Sequence, residues 1–301
     1  MQDAIIIGGS NAGLNAALVL DRARRQVLVL DREQPRNAPS PAAHGFLSRD
    51  GTPPNEIRRI GREQLRSYES VTFQIGDVAT AQPSDTGFEV RLQDGTVYTS
   101  RKLLLASGVR DELPAVDGLA ERWGKSVFHC PYCHGWEARD QPLAVYWIDP
   151  LSVELAIILG GWSDDIILCT NTNELDDTSR DRLNRYNVRI REERIIRLEG
   201  TGVTLQRIIF DRGDPLERHG LFVRPPQQHQ SDIAQQLGCE MEEMVPGITT
   251  IKTGMMGHTS ASGVFAAGDA STPMQQAVMA AATGAAAAMG LNHELLQEDF
   301  A

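Results

Sequence analysis

Two cysteines separated by two residues stand in His129-Cys130-Pro131-Tyr132-Cys133-His134-Gly135. Such a pair can close a small disulfide ring or donate two sulfurs to a metal, and in either role the thiolate is the working form. Zinc needs four ligands. The other two cysteines, Cys169 and Cys239, are isolated in the sequence. His129 and His134 adjoin the pair, and adjacent side chains rarely converge on one tetrahedral centre. A redox dithiol is therefore the favoured reading, with a metal site and an inert structural pair as the alternatives. A histidine directly after Cys133 can exchange a proton near neutral pH, which thiolate formation requires. The alternative for His134 is a turn residue bonded to backbone. His129 is evenly balanced between the two.

Such a pair needs a scaffold, and the chain begins with one. Ala4–Ile7 is a short apolar run of the kind found in a buried parallel strand. Gly8-Gly9-Ser10-Asn11-Ala12-Gly13 follows, then an Ala/Leu-rich helix over Leu14–Leu20, then a second strand over Gln26–Leu30 closed by Asp31. Strand, glycine turn, helix, strand and acid in this order make a dinucleotide-binding βαβ unit. Gly8 permits the turn and Gly13 a close helix. The helix N-terminus offers N–H groups to a pyrophosphate, and Asp31 can accept from a ribose diol. Ser10 replaces the middle glycine of the usual pattern and is small enough to keep the site open. Leu103-Leu104-Leu105-Ala106-Ser107-Gly108 is another buried strand ending in small residues. Near the other end, Gly263–Asp269 is a strand closing on Gly268-Asp269. Gln275-Gln276-Ala277 and an Ala-rich helix over Val278–Met289 come next, a thin backbone against which a planar ligand fits.

The 301 residues suit two domains, and 41% hydrophobic content supplies a real core. A net charge of −11 excludes a general nucleic-acid binder. No apolar run is long enough to span a membrane. Met1 leads straight into the first strand with no basic stretch ahead, so no signal peptide is expected and the compartment is cytoplasmic.

In their order these motifs resemble the low-molecular-weight thioredoxin reductases. They match most closely a branch with Cys-Pro-Tyr-Cys-His-Gly-Trp-Glu, Arg36-Asn37 and His44-Gly45-Phe46-Leu47-Ser48-Arg49-Asp50-Gly51. That branch holds ordinary disulfide reductases and dithiol oxidases of disulfide natural products. The resemblance implies an α/β protein of two Rossmann-like three-layer domains and a homodimer. The FAD domain would be discontinuous, residues 1–112 and 247–301, around a middle domain 113–246. It implies FAD held by Gly8, Gly9, Ser10, Asn11, Ala12, Gly13 and Asp31 at the pyrophosphate and adenosine ribose. Val78 would meet the adenine. Arg36, Asn37, His44, Ala106, Ser107 and Gly108 would lie along the cofactor, Gly268 and Asp269 at the ribityl chain, and Gln276 and Ala277 at the ring. Cys130 would engage the substrate, Cys133 the flavin, and His134 the proton.

The middle domain departs from its relatives. Pro142–Ile148 is a strand, Leu151–Leu159 a helix after Asp149-Pro150, and Ser163–Thr170 a strand. The intervening turn, Tyr146-Trp147-Ile148-Asp149-Pro150, has no glycine, and no arginine pair for a 2′-phosphate follows at Asn171–Glu174. NADPH is not expected there. Electrons would then come from a ferredoxin-like carrier or pass to O₂, or a second flavin would stack on Tyr146 or Trp147, whose bland role is core packing. The expected activity is FAD-dependent thiol–disulfide exchange with a thioredoxin-like protein or a small disulfide. A small-molecule dithiol oxidase and a non-turnover redox sensor or scaffold are the competing classes.

Overall fold

The computed structural model describes all residues, Met1–Ala301. The chain separates into two compact units, one formed by Met1–Ala38, Gly45–Asp111 and Gln227–Ala301, the other by Pro39–His44 and Glu112–Pro226.

The first arm of the first unit contains β1 (Gln2–Ile7), α1 (Asn11–Arg22), β2 (Val27–Asp31), α2 (Pro54–Leu65), β3 (Val71–Ile75), β4 (Val78–Ser84), β5 (Gly87–Leu92), β6 (Val97–Leu105) and β7 (Val109–Asp111). The second unit follows with α3 (Leu119–Arg122), β8 (Val127–Phe128), α4 (Pro131–His134), β9 (Leu143–Tyr146), α5 (Leu151–Leu159), β10 (Ile166–Cys169) and α6 (Asp177–Arg185). It ends with β11 (Arg189–Arg191), β12 (Ile195–Glu199), β13 (Arg207–Phe210), β14 (Leu216–Glu217) and β15 (Gly220–Phe222). The chain then returns to the first unit as β16 (Gln227–His229), α7 (Ile233–Gln236), β17 (Met241–Val245), β18 (Ile248–Ile251), β19 (Val264–Ala266) and α8 (Ala277–Asp299). The return lies earlier than the expected residue 247 because β16 pairs antiparallel with β7, Gln228 opposite Arg110.

In the first unit the sheet order is β3-β2-β1-β6-β5-β4, with β19 parallel to β6. The buried stretches of the core strands, Ala4–Ile7, Val27–Leu30 and Leu103–Leu105, are apolar at every position because both faces are covered. Ile6, Val29, Leu104 and Phe265 face α1 and α8, whereas Ile5, Leu30, Leu103 and Val264 face a layer built around Phe88, Val90 and Ile233. α8 runs well past the expected Met289. Leu291 and Leu295 continue its buried stripe, and Glu294 and Glu298 pair with Lys102 at 2.8 and 2.5 Å. Burial alone would lower the Lys102 amine, but these two carboxylates outweigh it and raise it.

The second unit has a five-stranded parallel sheet, β11-β10-β9-β15-β8. Leu143, Val145 and Leu168 pack with α5 and α6 on one face. Ala144, Ile167 and Cys169 pack on the other with Leu198, Ile208 and Phe210 of the small β12-β13-β14 sheet. Two Rossmann-type α/β units are thus present, the first of them discontinuous.

Leu104 is fully buried and Leu47 is 91% exposed. Leu104→Ala is expected to cost about 2–5 kcal/mol in urea denaturation, and Leu47→Ala no more than about 0.5 kcal/mol.

Candidate active site

The dithiol sits at the start of α4 in the second unit. Cys130 is extended (φ −126°, ψ 114°), and Pro131 opens the short helix with the φ it already prefers. Cys130 and Cys133 form a disulfide with Cα atoms 5.3 Å apart. Gly135 has no room for a Cβ, which would press on the Pro131 carbonyl and the Trp162 ring. Tyr132 meets Trp162 edge to face at 5.4 Å.

His134 stacks on Phe128 with centroids 4.7 Å apart and planes 18° apart. Its Nε2 lies 3.2 Å from Ser40 Oγ. His44 meets it edge-on at 6.3 Å and lies 3.5 Å from Glu137. His44, expected among the cofactor-facing residues, therefore packs in the second unit beside the histidine of the dithiol motif. Burial, with a smaller push from His44, lowers His134 from 6.5 to about 4. In the disulfide form His134 is therefore less basic than a free imidazole. His129 lies beside Trp123 at 5.9 Å.

The first unit holds the glycine turn. Gly8 has φ +114°, and a Cβ there would overlap the Ala106 backbone, so only glycine serves. A Cβ on Gly13 would collide with the Gly8 carbonyl, and one on Gly9 would run into the Asp31 carboxylate. Ser10 precedes α1 without capping it through its side chain, which leaves the helix N-terminus open. Gly8, Gly9, Ser10, Asp31, Val78, Ala106 and Ser107 line one cleft. This bare-backbone cradle with an acid at its rim fits the pyrophosphate and ribose of a dinucleotide. Asn11 and Ala12 begin α1 behind it, and Gly108 (φ +72°) accepts from Gln230 N–H across β7 and β16.

Several partners escape sequence reasoning. Arg58 and Arg62 both reach Asp31 Oδ2, at 2.9 and 2.5 Å, while Oδ1 accepts from Glu33 N–H. Their i, i+4 spacing on α2 is the one readable signal. Arg36 binds both oxygens of Asp111 at 2.7 and 2.8 Å and touches Asp269 at 3.0 Å and Gln275 at 2.6 Å. Gln275 also exchanges hydrogen bonds with Gln227. Arg36 and Asp269, expected on one cofactor, thus touch directly, whereas nothing in the sequence marks Asp111. Burial would lower the Arg36 guanidinium, but the two carboxylates raise it. Burial raises the Asp269 carboxyl, Arg36 opposes that through its charge and hydrogen bond, and Asp111 adds a smaller upward push, so the net shift is upward. Asn37 follows Arg36, half-buried. Gly268 (φ +73°) donates its N–H to Thr283 Oγ1, and Gln276 and Ala277 open α8 with no side-chain cap.

The β9–α5 turn is internally filled. Ile148 and Asp149 N–H both donate to Ser152 Oγ, Leu151 N–H donates to Asp149 Oδ1, and Arg224 pairs with Asp149 at 2.7 Å. Tyr146 packs with the Leu198 side of the sheet and Trp147 with the Leu168 side. Strand alternation sends them to opposite faces, so they do not form one stacking platform.

Known proteins share this arrangement. The pattern describing the pyridine nucleotide-disulphide oxidoreductases matches residues 2–284. The chain belongs to that family. It is 31% identical to a protein named thioredoxin reductase aclD from Aspergillus oryzae, covering 99% of this chain and 98% of that one. The solved structure of HlmI superposes with a TM-score of 0.93 at 40% identity, over 99% of this chain and 94% of that one. An oxidoreductase from Agrobacterium tumefaciens superposes at 0.92 with 37% identity, over 98% of both. The family member described here is of the low-molecular-weight thioredoxin reductase type, an FAD-dependent oxidoreductase with its vicinal cysteines in place. No helix is long and apolar enough to cross a membrane.

Arg36→Ala strands two partly buried carboxylates and is expected to cost up to about 3 kcal/mol in urea denaturation. Adding Asp111→Ala should recover part of that loss. Unfolded histidine titrates at 6.5 and folded His134 at about 4, so between these values the unfolded chain binds the extra proton. Stability on this account rises with pH across that window. His134→Gln should flatten the pH dependence of the urea midpoint there.

Proposed function

We propose that the protein exchanges a dithiol for a disulfide between Cys130/Cys133 and its substrate, coupled to FAD, without NADPH bound at the β9–α5 turn. The single observation that carries the last clause is the filled turn. A phosphate at a Rossmann turn needs free N–H groups and close backbone approach. Ile148, Asp149 and Leu151 have already given theirs to Ser152 and Asp149. The Asp149 carboxylate also places negative charge beside the position a phosphate would take. Arg191, on the neighbouring β11, is held by Glu193 and lies over Phe210.

FAD, when bound, supplies the two-electron acceptor or donor for the sulfur pair. The chain's residues do the rest. Gly8, Gly9, Ser10 and Gly13 let the pyrophosphate meet backbone, and Asp31, steadied by Arg58 and Arg62, keeps lone pairs for the ribose. Val78 borders the adenine. Arg36, Asn37, Asp269, Gln276 and Ala277 line the remaining length. Cys130 takes the substrate sulfur in a mixed disulfide, and Cys133 is the thiolate that faces the flavin. His134 carries the proton. The relatives' names support a thioredoxin-like disulfide as substrate, and an electron carrier is proposed as donor on the strength of the filled turn alone. The filled turn favours a second reading as well, in which a small dithiol is oxidised and O₂ takes the electrons. A homodimer in the cytoplasm is part of this proposal.

Under anaerobic conditions dithiothreitol should bleach the flavin band, and NADPH in excess should not. Rapid bleaching by NADPH would sink the claim about the turn. Cys133→Ser should stop the dithiol-driven reduction while retaining FAD. Oxygen uptake with a cyclic dithiol separates the second reading from the first.

A further inference from the structure

The surroundings of His134 fix which of its nitrogens carries the proton. Ser40 Oγ donates its single hydrogen to the Ala42 carbonyl at 2.6 Å. A carbonyl can only accept, so that hydrogen is spent. The contact between Ser40 Oγ and His134 Nε2 at 3.2 Å then runs the other way, with Nε2–H donating to the serine oxygen. In a neutral imidazole this leaves Nδ1 bare. Nδ1 is buried and has no hydrogen-bond partner, which costs free energy unless something fills it during the reaction. Stacking on Phe128 holds the ring plane, and His44, paired with Glu137, closes its edge.

We propose that Ser40 is a positioning residue that locks His134 in the Nε2–H form, so that Nδ1 is the atom that accepts a thiol proton when the Cys130–Cys133 disulfide is open. The proposal rests on the reading of His134 as the group that moves the dithiol's proton. In the step, the S–H bond breaks, an N–H bond forms at Nδ1, and the sulfur keeps both electrons as thiolate. No oxidant is needed. Nε2–H continues to donate to Ser40 Oγ, so the imidazolium that forms has one charge-assisted hydrogen bond ready-made. Burial and His44 oppose that positive charge in the disulfide form. A thiolate created alongside it compensates, so the two groups titrate as a pair. Ser40 reaches this position from the short arm Pro39–His44, which belongs to the same compact unit as the dithiol.

The tautomer is read directly by NMR of full-length protein carrying isotope-labelled histidine nitrogens. The expected signature for His134 in the oxidised protein is a protonated Nε2 and an unprotonated Nδ1. Ser40→Ala should mix or invert the two, and Ser40→Thr, which restores a hydroxyl, should return them. In parallel, iodoacetamide should alkylate the reduced pair of Ser40→Ala about tenfold more slowly near neutral pH, with recovery in Ser40→Thr. A protonated Nδ1 in the parent protein, or a tautomer and alkylation rate unmoved by Ser40→Ala, overturns the proposal. His134→Gln separates the two claims. If it slows alkylation while Ser40→Ala does not, His134 keeps its role and Ser40 loses its own. If His134→Gln leaves the rate unchanged, the proton-moving role fails and the proposal falls with it.

Discussion

A Cβ on Gly284 would lie inside the backbone of Ala12, and one on Gly268 would press on the Ala12 methyl. Helices α1 and α8, from opposite ends of the chain, therefore meet almost backbone to backbone. Leucine or valine at Gly284 would force the helices apart. This closeness places the Gly8–Gly13 turn and the Gly268-Asp269 corner in one compact unit although more than two hundred residues separate them in sequence. Small residues here contribute little hydrophobic burial of their own. Their value lies in the position they give to open helix N-termini, and the neighbouring leucines of α8 supply the apolar burial that holds the pair together.

What the sequence made legible was local. The strand, glycine turn, helix, strand and acid lie within 31 residues, so spacing along the chain almost equals spacing in space. The same is true of the two cysteines and of the absence of glycine in the turn after β9, whereas the hydrogen bonds that fill that turn were not legible. Partners from distant segments were not legible. Arg58 and Arg62 meet Asp31 from across a long loop, and Asp111 takes Arg36 from the end of the first arm. The loss of basicity at His134 was likewise hidden. Its cause is burial, with His44 approaching from far along the chain, and neither is written in Cys-Pro-Tyr-Cys-His. α8 overran its expected end because Lys102, on β6, gives Glu294 and Glu298 a buried partner.

The β9–α5 turn shows how a strand-helix-strand frame can pair its own backbone. Fold stability asks only that the turn's N–H groups be paired. A bound phosphate satisfies that demand from outside, and Ser152 and Asp149 satisfy it from inside. The second arrangement needs no glycine, so bulky Trp147 and Ile148 are tolerated and extend the two hydrophobic cores of the unit. The strand-helix-strand frame is held by this packing and by the turn's internal hydrogen bonds.

In the first unit one guanidinium serves two acids, and geometry decides between them. Asp111 offers both oxygens to Arg36 in a fork, the stronger arrangement, while Asp269 receives a single contact. Ionising Asp269 as well would put a second negative charge into a partly desolvated site with only one cation. Burial raises its carboxyl, Arg36 pulls it back down, and Asp111 adds a smaller push upward. Asp111 and Asp269 thus share one guanidinium unequally, and the fork to Asp111 leaves Asp269 the weaker share.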